Sequence, residues 1–236
     1  MGMHIPIQIE MHISGRTADS DSPYIYKEKE RGDERMDTTM KETRTPEASR
    51  KTLTRLVLAG IFAAITYVVF TFLSIPVPLP SGKVSVHLGN AFVALGALLL
   101  GGVYGGIGGA IGLTIGDLLD PVYIVEAPAT FIIKLALGLI VGLVAHKIGH
   151  INTETNQKKV LGWTIAAVIA GMVFNTIADP GIRYFYKLLI LGKPAAEVTF
   201  AINFVVTLVN SVISTFVTVI LYQALRKPLR SIGLYD

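Results

Sequence analysis

The chain has 236 residues, of which 51% are hydrophobic and only 16% charged, with a formal net charge of +4 and no cysteine. Charges this sparse, crowded toward the two ends and a few short loops, belong to a protein whose middle lies in lipid. The missing cysteines exclude disulfides, thiolate metal sites and cysteine nucleophiles. The basic balance does not point to nucleic acid as a partner, because the lysines and arginines mostly flank apolar runs, where orientation in a membrane accounts for them.

Residues 1 to 50 are polar and have no sustained apolar period, so they are expected to form a disordered cytoplasmic tail. The start, Met1 to Ile13, is broken by Pro6 and Glu10 and does not make a signal peptide. Internal methionines at Met36 and Met40 leave an over-long start open as an alternative. A first span is expected over about 53 to 75, after which Pro76, Pro78, Pro80 and Gly82 forbid helix and open a loop reaching roughly Val86.

From Leu88 to Gly116 there is no charge. At about 1.5 Å per residue this run is too long for one upright helix and short for two. Parity decides for two. Basic clusters at Arg50, Lys51 and Arg55, at His146, Lys147, Lys158 and Lys159, and at Arg226, Lys227 and Arg230 fall on one side only if the run crosses twice, turning near Gly101 and Gly102. The expected architecture is therefore an all-α membrane protein, a bundle of six transmembrane helices with both termini cytoplasmic. The spans fall at about 53–75, 86–101, 103–119, 130–148, 160–180 and 198–225, within a membrane domain of 51–228 followed by a short cytoplasmic tail, 229–236. Asp117 to Glu126 lies outside, as the rule prefers; Arg183, Lys187 and Lys193 also lie outside, against it. Pro180 and Gly181 are expected to end or kink the fifth helix.

Gly101, Gly102, Gly105, Gly106, Gly108, Gly109, Gly112 and Gly116 place small residues three and four apart, a pattern that lets helices approach closely in lipid. It misses the dinucleotide fingerprint, and no G-x-x-x-x-G-K-[ST] occurs, so the chain carries no ATPase of its own. Ala59 and Ala63 form a small-x-x-x-small pair suited equally to packing inside the bundle and to docking a partner helix. His146 and His150 lack a matched carboxylate, no metal site is expected, and no hydrolase motif is present. The chain is therefore not expected to be an enzyme or to hold a cofactor.

Polar residues within the spans are the functional pointers, since each is costly in lipid unless it faces the interior or a cavity. Asn90, Asp117, Lys134, Asn175, Asp179, Asn203 and Asn210 are of this kind, with His87, Asp120, Tyr123 and Glu126 near the outer ends and Thr130 one turn before Lys134. Lys134 is expected either to meet a ligand or to pair with Asp117, Asp120 or Glu126 as a structural ion pair. Together these groups suggest a polar pocket open to the outside.

The stretch VSVHLGNAFVALGALLLGGVYGGIGGAIGLTIGDLLDP (Val84 to Pro121) followed by APATFIIKLALGLIVGL (Ala127 to Leu143) resembles the S component of energy-coupling factor transporters, over roughly residues 50 to 228. The resemblance implies a small membrane subunit that binds a vitamin or precursor with high affinity on its outer side. It further implies association with a transmembrane coupling subunit and two cytoplasmic ATPase subunits, and toppling in the bilayer to release cargo inward. By the same resemblance Ala59 and Ala63 match the motif that docks the coupling subunit, and Pro76 to His87 is the lid. Where many relatives carry an acid, this chain has Asn90. The substrate-binding set expected is His87, Asn90, Asp117, Tyr123, Thr130, Lys134, Asn175, Asn203 and Asn210. The resemblance is nearest to members that take hydroxymethylpyrimidine, a pyridoxine-like compound or riboflavin, small heteroaromatics that amides, Lys134 and tyrosines such as Tyr123 and Tyr184 suit, and the same side chains equally suit pantothenate or a deazapurine. The rivals are an ion-coupled secondary transporter using Asp117 and Asp179, and a membrane scaffold without cargo.

Overall fold

The computed structural model describes residues 46–79, 82–192 and 197–231. The chain separates into two units, Met1–Ser49 and Arg50–Asp236, and the second is the one that carries the fold. The expected tail lies almost wholly outside the described residues, as do Pro80, Ser81, Lys193 and residues 232–236.

In chain order the elements are α1 (Pro46–Phe72), β1 (Ser74–Leu79), β2 (Gly82–His87), α2 (Gly89–Leu100) and α3 (Gly102–Leu118). After a short 3-10 turn at Ile124–Glu126 come α4 (Ala127–Gly142), α5 (Gln157–Phe185) and α6 (Glu197–Ser231). Single π-helical turns, Leu143–Ile148 and Tyr186–Ile190, prolong α4 and α5.

Two expectations are corrected here. The fold is mostly but not wholly helical: the segment after α1 is an antiparallel hairpin pairing Ser74 with His87 through to Leu79 with Gly82. Pro76 and Pro78 are two residues apart, so their missing donors fall on one edge of β1 and leave the other free to pair. Of the two outcomes expected at Pro180, an end or a kink, the first does not occur, since the fifth helix runs on to Phe185. The turn beyond the proline is tied to the start of α4 by ion pairs from Arg183 and Lys187 to Glu126, each 2.7 Å. At the C-terminal end, α6 passes through Pro228 to Ser231.

The glycines explain how the helices approach one another. Gly101 joins α2 to α3 at φ +86°, ψ 159°, a backbone conformation open to glycine because it has no Cβ. The chain thereby doubles back. A Cβ on Gly105 would lie 2.0 Å from the carbonyl carbon of Gly96, and one on Gly109 2.7 Å from Val93 Cα, so α2 and α3 run antiparallel with backbones touching. On its second side α3 meets α4, where a Cβ on Gly138 would lie 2.4 Å from Gly106 Cα and one on Gly142 2.3 Å from Gly102 Cα. On its third side α3 runs parallel to α1, with Gly108 against the Ala59 carbonyl and Gly112 against that of Ala63.

Four helical segments, Ser49–Phe72, Ile124–Ile148, Gln157–Ile190 and Thr199–Arg230, are long and apolar enough to cross a membrane. The protein is therefore a multi-pass membrane protein. The 12-residue α2 reaches only about 18 Å at 1.5 Å per residue, against about 30 Å of hydrocarbon. It is buried on nearly every face, including Val93, Ala94, Leu95, Ala97 and Leu98, and forms the centre around which the longer helices stand. Lipid-facing side chains such as Val57, Ile61, Ile177 and Phe216 are correspondingly exposed and apolar.

Candidate functional site

A cavity of about 210 Å³ opens at the end of the bundle that carries the hairpin. Antiparallel alternation brings the start of α2, the end of α3, the start of α4, the end of α5 and the first half of α6 to this place, and β2 closes one side. His87, Asn90, Asp117 and Tyr123 line it, as do Thr130, Lys134, Asn203 and Asn210. The exception among the expected residues is Asn175, which does not line the cavity: it is fully buried behind Lys134, with its Oδ1 accepting from Lys134 Nζ at 2.6 Å.

Lys134 is 3% exposed, and its carboxylate partner is Asp179 of α5, at 2.5 Å, rather than Asp117, Asp120 or Glu126. Arg183 is the hub of the cluster. Its Nε donates to Asp179 at 2.6 Å, one terminal nitrogen donates to Glu126 at 2.7 Å, and the other donates to Thr130 Oγ1 at 2.8 Å. Thr130 in turn donates to Asp117, which is how a buried carboxylate without a direct ion pair is satisfied. Glu126 accepts from Lys187 as well.

Arg183, Lys187 and Asp179 are absent from the set expected from sequence, and a signal for them was available. Asp179, Arg183 and Lys187 are spaced four apart in an otherwise apolar helix, and an acid–base pair at that spacing shares one face. By sequence the two cations count only as exceptions to the orientation rule. They are paired side chains of the site, so their charge does not weigh freely on topology.

The hairpin is fastened on both flanks. Asn210 of α6 acts as a peptide mimic: its Oδ1 accepts from His87 N–H at 3.0 Å and its Nδ2 donates to the Ser85 carbonyl at 3.0 Å. On the other flank Tyr123 Oη donates to the Lys83 carbonyl at 3.1 Å and lies 3.2 Å from Ser85 Oγ, while Lys83 Nζ donates to Asp120 at 2.7 Å. Burial pushes the Tyr123 phenol up to about 12, so it stays a protonated donor at physiological pH. Burial alone would raise Asp120, but Lys83 and the Val122 amide hold its carboxyl below the usual range.

Ala59 and Ala63 lie away from this cavity, on the seam between α1 and α3. Ala59 is buried against Gly108, whereas a Cβ on its neighbour Gly60 would meet nothing within 4 Å. Ala59 thus packs inward with Ala63 half-buried beside it, and among the described residues the uncovered face of α1 bears Gly60 and the exposed Ala64. Among the described residues no cluster of three acids or histidines is arranged for a metal ion. The chemistry on offer is dense hydrogen bonding around a cavity that opens at one end of the bundle.

Relatives are similar to this chain over most of their length. A UPF0397 protein of Streptococcus agalactiae is 29% identical over 162 residues, 68% of this chain and 84% of the relative. A UPF0397 protein of Lactobacillus johnsonii is 30% identical over 169 residues, 72% of this chain and 86% of its own. No solved structure matches the chain. The description "ECF-type riboflavin transporter, S component" matches residues 50–227, the whole helical unit with its hairpin and cavity, and the chain therefore belongs to the S-component family of energy-coupling factor transporters, the membrane subunits that bind vitamin-type substrates and are not themselves enzymes.

Proposed function

We propose that this subunit captures a vitamin or vitamin precursor, a small heteroaromatic molecule such as riboflavin, hydroxymethylpyrimidine or a pyridoxine-like compound, for an ATP-driven importer. The observation that carries this reading is a cavity that sets Asn90, Lys134, Asn203 and Asn210 beside apolar and aromatic side chains such as Phe70, Leu113 and Phe200, in a protein otherwise built of apolar helices. The riboflavin in the family's description supports a flavin first among the candidates. The chain would cross the membrane six times with both termini cytoplasmic, α2 and α3 making two crossings that turn about Gly101, and the cavity would face outward beneath the hairpin. Single cysteines at Ser81 and Ser231 test the topology: an impermeant reagent should label Ser81 alone, as it should when Asn156 is the site compared. Labelling at Asn156 from outside would overturn it.

The importer reading requires a transmembrane coupling subunit and two ATPases. Ala59 and Ala63 set the spacing of α1 on α3, so the docking surface is the free face beside them, at Gly60 and Ala64. Co-purification of the subunits, transport that needs ATP, and mass spectrometry of small molecules retained by the purified protein test the proposal together. Gly60→Leu should lower co-purification and transport at unchanged ligand affinity. The ion-coupled alternative is weakened by the geometry of Asp179, whose two oxygens are taken by Lys134 and Arg183.

A further inference from the structure

The charges that line the cavity or flank it balance. Lys83, Lys134, Arg183 and Lys187 stand against Asp117, Asp120, Glu126 and Asp179, and every cation has a carboxylate within 2.7 Å. A ligand of net charge entering this wall would be left without a counter-charge in a medium that solvates ions poorly. Two of the uncharged groups that line the cavity are Asn90 and His87. Asn90 is 1% exposed, and its Oδ1 has no hydrogen-bond partner among the described residues, an acceptor that is costly to leave unmet. His87 has its Nδ1 occupied as the acceptor of the Gly89 amide at 3.1 Å. That nitrogen is then unprotonated, the ring proton sits on Nε2, and the side chain offers a donor. Three residues apart, at the junction of β2 and α2, the pair presents one acceptor and one donor.

Resting on the capture reading above, we propose that the substrate carries no net charge and is recognised by an edge with adjacent N–H donor and acceptor, a lactam, imide or aminopyrimidine. Its N–H donates to Asn90 Oδ1 and its carbonyl or ring nitrogen accepts from His87 Nε2.

The test uses the purified full-length protein in detergent and matched probes. These are riboflavin, riboflavin methylated at its ring imide nitrogen, and riboflavin phosphate, with hydroxymethylpyrimidine against cationic thiamine as a second series. The expected result is that a neutral probe binds while its charged counterpart binds at least about tenfold more weakly. Within the flavin series the imide-methylated analogue should also lose about tenfold, the effect of an unmet buried acceptor. Asn90→Leu should then reduce binding of the unmethylated probe to the level of the methylated one. Because the methylated probe is read on the unaltered protein, the conclusion does not depend on that variant folding. Equal affinity for charged and neutral members, equal affinity for methylated and unmethylated flavin, or a retained molecule of net charge would overturn the proposal and leave substrate capture standing. If no probe binds and the purified protein retains no small molecule, the capture reading itself falls.

Discussion

The two ends of α3 are held in different ways. Along its length the helix meets α1, α2 and α4 through glycines, with backbone against backbone and no charge between Leu88 and Gly116. At its C-terminal end, from Asp117 onward, contact is made by acids, bases and amides around a cavity. In the first region shape alone decides stability, because apolar side chains gain little from leaving lipid for one another. In the second, removing one member leaves another buried and unpaired. The packed region thus holds its geometry by shape alone, while around the cavity the charges cancel one another internally.

The largest effect should come from breaking the packed region. Gly105→Leu sets a branched side chain where even a Cβ would fall 2.0 Å from backbone. The hairpin of α2 and α3 should open at a cost above about 3 kcal/mol, since overpacking against a main chain has no soft atom to yield. Gly162, where a Cβ meets nothing within 4 Å, is the control. Yield and melting temperature in detergent should collapse for the first and hold for Gly162→Ala.

Next is Lys134→Met, which keeps much of the apolar stem and removes the charge. Breaking a buried pair costs about 3–5 kcal/mol; Arg183 still contacts Asp179, so the lower end, about 3 kcal/mol, is expected. The empty protein should melt earlier. A full-stability Lys134→Met protein with a smaller ligand-induced rise in melting temperature would instead make Lys134 a ligand contact.

This contrast also governs what could be read from sequence. The turn at Gly101 and the stacking of Gly105, Gly106 and Gly109 follow from residue type and spacing, because only a residue without a Cβ permits them. All but one of the expected site residues line one cavity for a similar reason: a polar group in an apolar helix has few other places to go. Pairing was not legible. Lys134 finds Asp179 across α4 and α5, a partner fixed by how two helices are rotated, which no local spacing encodes. The hairpin was missed because prolines at 76 and 78 argue against helix without arguing for a strand. The inward turn of Ala59 was equally hidden, since Gly60 and Ala64 offer the same spacing one residue on.

A smaller effect should follow at the hairpin, where the two regions meet. Asn210→Ala removes the pair of bonds that attach β2 to α6 and leaves the His87 amide and the Ser85 carbonyl to find water. Two neutral hydrogen bonds are worth about 2 kcal/mol. The expected signature is a modest fall in melting temperature with faster ligand release in a stopped-flow chase. A change in release rate as small as that of a distant exposed control, Thr153→Ala, would show that Asn210 does not hold the hairpin.

The smallest effect lies on the opposite flank, at Lys83 and Asp120, which are about one-third and one-quarter exposed. The Asp120 carboxyl is held below its usual range in the folded protein, so its contribution is fully present above the unfolded value of about 3.9 and is lost as pH falls through the lower folded value. From pH 7 to pH 5 this flank should therefore not change, and below about pH 4 it should loosen. A pair this open to water and salt is worth at most about 1 kcal/mol. Asp120→Asn should mimic the acid end of the profile at neutral pH and remove the acid-dependent part of the release rate. Loosening between pH 5 and 7 would point to another titrating group and detach Asp120 from control of the hairpin.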